Sequence, residues 1–304
     1  MTGDLRGAVG KPTLALKALR WAVQRGVITH GRDWALLNLP EALWGGAHVE
    51  AATDVGPVVV PLRDLASCSL LLRGCIPHEI RETALVRALA REWRVALDVG
   101  AHVGWYARLA WDHMPAGRQV HAFEPNPAIF PYLVENTRNR DGLLPRQVAI
   151  GEREGRATFY RAASSNLCSA VRQVGEPIDV NATTLDTIGK ALDVIGRVDF
   201  IKCDVEGGEL AVLRGARRLR SVPEPPVWMI EVDQDFLGDA GVSADDLNAE
   251  ILACGGPVKF FYLDLEGTAV EISDVAKSGG VPNVFVVPQA WVGRFLHAAE
   301  VARA

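Results

Sequence analysis

The chain has 304 residues, 49% of them hydrophobic, with acidic and basic residues mixed to a formal net charge of -5. That length can bury one sizeable core, and the charge balance leaves no basis for a dedicated nucleic-acid surface. Five widely spaced cysteines without a C-x-x-C pair leave no basis for a zinc knuckle or a disulfide framework. A reducing setting follows, and with no apolar run of signal or membrane length the chain reads as cytoplasmic and free of membrane.

In chain order, residues 13–25 predict a helix with Leu14, Leu16, Leu19 and Val23 on one side, and Val58 to Val60 a short strand. Leu65 to Leu72 has no clear assignment. Residues 1–78 carry no evident chemistry and read as an extension: a cap, a lid or a dimer element. A homodimer is therefore one option for the oligomeric state. The stretch 79–91 predicts a helix with Ile80, Leu85, Val86 and Leu89 facing inward.

Val95-Ala-Leu-Asp-Val99 reads as a buried strand feeding a turn, Gly100-Ala101-His102-Val103-Gly104, and a helix from Trp105 to Trp111. Glycine permits close backbone approach, and the following helix directs its amino-terminal N–H groups at whatever occupies the turn. Val120 to Phe123 is the second strand, ended by Glu124 and Pro125. Glu124 lies about 20 residues beyond the turn, where a carboxylate can accept hydrogen bonds from a ribose diol. Residues 128–136 predict a helix, and Val148 to Ile150 the third strand, followed by Gly151. An insertion at about 155–184 departs from strand–helix alternation. It holds an edge strand at Arg156 to Tyr160, a polar loop at Ser164, Ser165 and Asn166, and an extended run from Val180. A short helix then runs from Leu185 toward Leu192.

The second dense signal is Phe200-Ile-Lys-Cys-Asp-Val-Glu-Gly-Gly-Glu209. A helix amino terminus accounts for Glu209. Lys202, Asp204 and Glu206 at a buried strand end must be paired or functional, because unpaired burial is expensive. One helix is expected through Leu210, Leu213 and Leu219. Glu231 lies within the apolar strand Val227 to Val232 and faces the crevice or pairs with Lys202 or an arginine. Ser243 and Asp246 form a capping-box pattern. Lys259 to Leu263 and Asn283 to Val287 are the last strands, with only a loop between them, and 291–303 reads as an amphipathic helix.

This order makes an α/β sheet, mostly parallel, closed by an antiparallel hairpin rather than by further crossover helices. The turn lacks the middle glycine of the dinucleotide fingerprint, since position 102 is histidine, and a cofactor without a pyrophosphate fits better. That argues against the rival reading, an NAD-dependent oxidoreductase.

The stretches LDVGAHVGWY at 97–106, HAFEPNP at 121–127, VAIGEREG at 148–155, TTLD at 183–186 and DFIKCDVEGGELAVLRGA at 199–216 resemble the FkbM family of S-adenosylmethionine-dependent methyltransferases. The resemblance covers roughly residues 79–290. It implies a Rossmann-like seven-stranded methyltransferase sheet over 79–304 with helices on both faces and a reversed final hairpin. It also implies S-adenosyl-L-methionine as cofactor and methylation of a hydroxyl on a polyketide, sugar or glycan. The family's usual turn has asparagine where this chain has His102. By position, Asp98, Gly100, Ala101, His102 and Gly104 surround the cofactor's methionine part. Glu124 and Pro125 lie at its ribose, and Gly151 and Glu152 near its adenine. Asp204 and Glu206 lie where the methyl group meets the acceptor.

A hydroxyl acceptor must lose its proton, and a carboxylate in reach can take it. Asp204 or Glu206 is the expected base or orienting group, Lys202 its partner, and His102 an alternative base. No metal is assigned, although Asp204, Glu206, Glu209 and Glu231 all carry oxygen ligands. An N-methyltransferase and an inactive nucleoside-binding module are the remaining alternatives.

Overall fold

The computed structural model describes Leu5 and residues 9–161, 176–278 and 283–303. The polar loop expected at Ser164 to Asn166 lies outside the described residues.

The N-terminal segment opens with β1 (Val9–Gly10) and α1 (Leu14–Gln24), which starts where the Thr13 hydroxyl accepts the Leu16 N–H. After α2 (Arg32–Asn38), β2 (His48–Thr53) and β3 (Gly56–Pro61) form an antiparallel hairpin, with β1 parallel on β2. The unassigned stretch after residue 64 is a helix, α3 (Leu65–Arg73). Asp64 caps it by accepting the Ser67 N–H, and Gly74, at φ 80, ends it.

The chain then runs through α4 (Ile80–Leu89), β4 (Val95–Val99), α5 (Trp105–His113), β5 (Gln119–Phe123), α6 (Phe130–Thr137) and β6 (Leu143–Arg146). Ile80 is 53% exposed rather than inward, because it stands at the outer start of its helix; Leu85, Val86 and Leu89 are buried as expected. The third strand of the main sheet is β6, not Val148 to Ile150. Pro145 sits in it without penalty because β6 is an edge strand. Ala149–Ile150 is a two-residue strand, β7, in a small separate sheet. There β8 (Gly155–Arg161) and β9 (Glu176–Thr183) pair antiparallel and β7 lies parallel on β9.

After α7 (Leu185–Ala191) and β10 (Phe200–Cys203), the helix expected through Leu219 breaks into α8 (Glu209–Arg214) and α9 (Arg217–Arg220). The break falls at Gly215, where a Cβ would stand 2.0 Å from the Gly151 carbonyl oxygen. β11 (Val227–Glu231), α10 (Gln234–Asp239) and α11 (Ala244–Leu252) follow, the last with the Ser243–Asp246 capping box in place. The final strands are β12 (Val258–Leu263), β13 (Ala269–Ile272) and β14 (Asn283–Pro288), before α12 (Val292–Arg303).

The main sheet has the order β13-β12-β14-β11-β10-β4-β5-β6. Seven strands give the expected order, with β6 in the place expected for Val148 to Ile150: β6, β5, β4, β10 and β11 run parallel, β14 is antiparallel to β11, and β12 is antiparallel to β14. β13 adds an eighth strand where only a loop was expected. The hairpin that makes it turns at Asp264, whose Oδ1 accepts the Glu266 and Thr268 N–H groups.

The period-2 alternation of the strands decides which side chains meet. Val95, Leu97 and Val99 pack into one core layer; Ala96, Phe200, Met229 and Phe285 pack into the other, shared with Leu16, Val49, Val60 and Leu71 of the N-terminal segment. By the same parity Asp98, Lys202, Glu231 and Asn283 turn toward the N-terminal segment. That segment is tied to the sheet's helices. Arg108 of α5 donates to the Val55 and Pro57 carbonyls, and Asn136 of α6 bonds the Val59 N–H, the Val59 carbonyl and the Val103 carbonyl.

Candidate active site

The turn after β4 is built on positive backbone angles: Gly100 at φ 83, His102 at φ 50 and Gly104 at φ 91. Histidine is among the few non-glycine residues enriched in that region. The Gly100 and Ala101 N–H groups donate to the Phe123 carbonyl at the end of β5. Glu124 holds the turn from the same side: its Oε2 accepts the His102 N–H at 2.9 Å and its Oε1 the Asn126 N–H at 2.8 Å. Burial pushes the Glu124 carboxyl up to about 7 against the opposing pull of these two amides.

Two cavities open at the carboxyl ends of the parallel strands. The larger, about 690 Å³, is lined by Gly100, Phe123, Glu124, Pro125, Gly151 and Glu152 among others. The smaller, about 390 Å³, is lined by Asp98, Ala101, Tyr106, Lys202, Glu231 and Asn283, and is roofed by Cys68, Leu72 and Arg73 of α3. Gly100, His102, Asp204 and Glu206 line both, so the cavities adjoin there. Of the site residues expected from sequence, Gly104 lines neither. It starts α5, where a Cβ would meet Leu133 at 2.8 Å.

The acids at this junction differ in charge state. Lys202, 4% exposed, places its Nζ 2.6 Å from Asp204 Oδ2. Burial would raise the Asp204 carboxyl, but the Lys202 ammonium holds it below its ordinary value. The Asp204 and Asp98 carboxylates likewise outweigh burial at Lys202 and keep it charged. Glu206 is pushed up to about 9, chiefly by burial and then by Asp204 and Glu209. Glu231 is raised well above the carboxylate range for the same two reasons, burial and then Asp204. Carboxylate oxygens of Asp204, Glu206 and Glu231 lie within 4.8 Å of one another. Within this trio the Lys202 ammonium thus pulls Asp204 down while burial pushes the two glutamates up. Glu209 faces its own helix start, with Oε1 accepting the Val205 and Gly207 N–H groups.

Asp98 is 4% exposed, and among the described residues neither of its carboxylate oxygens has a hydrogen-bond partner of full geometry. Burial pushes it up to about 6 against the pull of Lys202. Sequence reasoning missed Glu79, Tyr106 and Asn283. Asn283 Nδ2 donates to Glu79 Oε1 at 3.0 Å across 204 residues of chain, and no local pattern announces such a pair. Asp64 was also missed, although an acid ahead of an apolar run ending at Gly74 is a helix-start signal. Its Oδ2 lies 3.9 Å from His102 Nε2.

Five parallel strands ending in a reversed pair, with a glycine turn after β4 and an acid at the end of β5, define a Rossmann-like methyltransferase fold. The chain belongs to the FkbM methyltransferase family, matching the Methyltransferase FkbM domain over residues 98–256. It is 33% identical over 132 residues to "Hexuronic acid methyltransferase AglP" of Haloferax volcanii, a match covering 41% of this chain and 51% of that protein. The chain therefore spans about half the length of this curated relative. Among solved structures it is similar to Aeropyrum pernix fibrillarin with bound S-adenosyl-L-methionine, at 12% identity and a TM-score of 0.39, covering 69% of this chain and 75% of that one. It is also similar to the Bacillus cereus O-methyltransferase in complex with SAH, at 13% identity and a TM-score of 0.39, covering 70% and 82%. No helix among the described residues is long and apolar enough to cross a membrane.

Proposed function

We propose that the chain is an S-adenosyl-L-methionine-dependent O-methyltransferase whose acceptor is a hydroxyl of a sugar or another small polyhydroxylated molecule. The observation that carries this reading is the meeting of two cavities at Gly100, His102, Asp204 and Glu206. The larger suits a nucleoside: Glu124, already bonded once at each oxygen, keeps acceptor capacity for ribose hydroxyls, and Gly151 and Glu152 edge the far end. In the smaller, the Asp98 carboxylate, whose oxygens have no full hydrogen bond among the described residues, fits a cationic group such as an ammonium. The cofactor supplies an electrophilic methyl group on a sulfonium.

The chain's residues align the partners, exclude water and manage one proton. Burial pushes Glu206 and Glu231 up, which favours their O–H forms as donors to acceptor oxygens, and the Lys202–Asp204 pair holds the wall in place. Glu206 is therefore a poor base at neutral pH, and Asp204 is a weak one. The acid-rich wall favours a neutral polyol over an acceptor methylated at a free carboxylate, a distinction that matters because AglP is named for a hexuronic acid. The same wall attracts an amine, so amino sugars belong in the acceptor panel.

Calorimetry with S-adenosylmethionine, its demethylated product and NAD tests the cofactor: binding of the first two and not the third is expected, and the reverse ends the reading. Transfer of labelled methyl to a panel of neutral, amino and uronic methyl glycosides tests the acceptor, with incorporation into the neutral members expected.

A further inference from the structure

The N-terminal segment contributes a residue to this site. We propose that Asp64 positions the His102 imidazole as the base that removes the acceptor's hydroxyl proton, an assignment that rests on the O-methyltransferase reading above.

His102 is placed for that role. It lines both cavities at their junction. Its main chain is fixed by the Glu124 bond to its N–H, and its side chain is 24% exposed, accessible without lying in bulk water. Asp64 is rigid: its Oδ2 accepts the Ser67 N–H at 3.0 Å and the Ser67 hydroxyl at 2.8 Å, and the residue is 4% exposed. The 3.9 Å from His102 Nε2 to Asp64 Oδ2 is an ion-pair separation. Catalytic contacts of this kind are often long before substrate binds and tighten in the complex. A carboxylate at one ring nitrogen orients the imidazole and stabilises the imidazolium that forms.

The neighbouring groups leave the proton to histidine. Asp204 is tied to Lys202 at 2.6 Å, and burial pushes Glu206 and Glu231 up, toward holding their own protons. Burial lowers the His102 imidazole below its ordinary value, with Lys202 acting in the same sense, while Asp64 and Asp204 oppose it. In the transfer, His102 takes the O–H proton while an oxygen lone pair forms the bond to the methyl carbon and the carbon–sulfur pair returns to sulfur. One positive charge moves from sulfonium to imidazolium, where Asp64 meets it.

The test uses the full chain with Asp64→Asn and His102→Asn. Asparagine caps helices as well as aspartate does and tolerates positive φ, so both folds are preserved. In carbon-13 histidine-labelled protein saturated with S-adenosylhomocysteine, Asp64→Asn is expected to lower the His102 titration midpoint by about 1 unit. With the glycoside of the panel above that turns over fastest, kcat is expected to fall at least about tenfold in Asp64→Asn and about 100-fold in His102→Asn. KM stays unchanged, and the acid limb of the rate profile moves with the NMR midpoint. An unmoved midpoint, or an unmoved kcat and acid limb in Asp64→Asn, overturns the assignment. Absence of methyl transfer by the unsubstituted chain defeats the functional reading itself, and the assignment with it.

Discussion

Gly100 and Asp204 touch where β4 and β10 leave the sheet: a Cβ on Gly100 would stand 1.7 Å from the Asp204 carbonyl oxygen. The first glycine of the turn is therefore needed for the crossing of two chain segments, before any cofactor is considered. Gly100→Ala meets backbone on one side and a positive φ on its own, so neither can yield cheaply. Destabilisation by about 3 kcal/mol is expected, read by urea denaturation, together with loss of S-adenosylhomocysteine binding.

Asp98 sets stability against binding. Its buried carboxylate has no full hydrogen bond, so Asp98→Asn is expected to stabilise the free protein by about 1 kcal/mol. The same change removes the anion that faces the smaller cavity. Calorimetry is expected to show S-adenosylmethionine binding weakened at least about tenfold, the loss of a charged hydrogen bond. Weakened binding without the gain in melting temperature would mean that the carboxylate is satisfied in the free protein.

Glu206 gives a pH dependence of definite sign. Its carboxyl is pushed from an ordinary 4.5 up to about 9 in the folded chain. A raised acid binds its proton more tightly folded than unfolded, so its contribution is fully present below the unfolded value and is lost as pH rises toward the folded one. Glu206→Gln abolishes this loss. Its stability relative to the unsubstituted chain should improve by about 4 kcal/mol between about pH 5 and about pH 8, roughly 1.4 kcal/mol for each pH unit, measured by denaturation at both.

Asn136 couples the N-terminal segment to the turn. It is 3% exposed and satisfies three backbone groups, two on Val59 and one on Val103. Asn136→Ala leaves all three buried without a partner. The expected cost is about 3 kcal/mol in chemical denaturation. Faster amide exchange is expected in both β3 and the turn, and exchange confined to α6 would show that the segment docks independently of Asn136.

The chain's own order of residues carried the parts whose physics is local. Val95 to Val99 ends in glycine and Val120 to Phe123 ends in Glu124–Pro125, and both patterns reappear as strands stopping at the cavity rim. Val148 to Ile150 misled because an apolar run looks the same in a main-sheet strand and in a two-residue bridge to β9. Gly215 broke a helix that its leucine spacing would have continued, because the obstacle is a carbonyl 64 residues away. That acids and a lysine crowd the end of β10 was written in the residues themselves. Which acid is pushed up and which is held down was decided by folding, because burial and the Lys202 charge act through space on neighbours the sequence does not order. Asp64 at His102 and Asn283 at Glu79 belong to the same class: alternation along each strand says which way a side chain turns, but only packing of the N-terminal segment over that face decides what it meets.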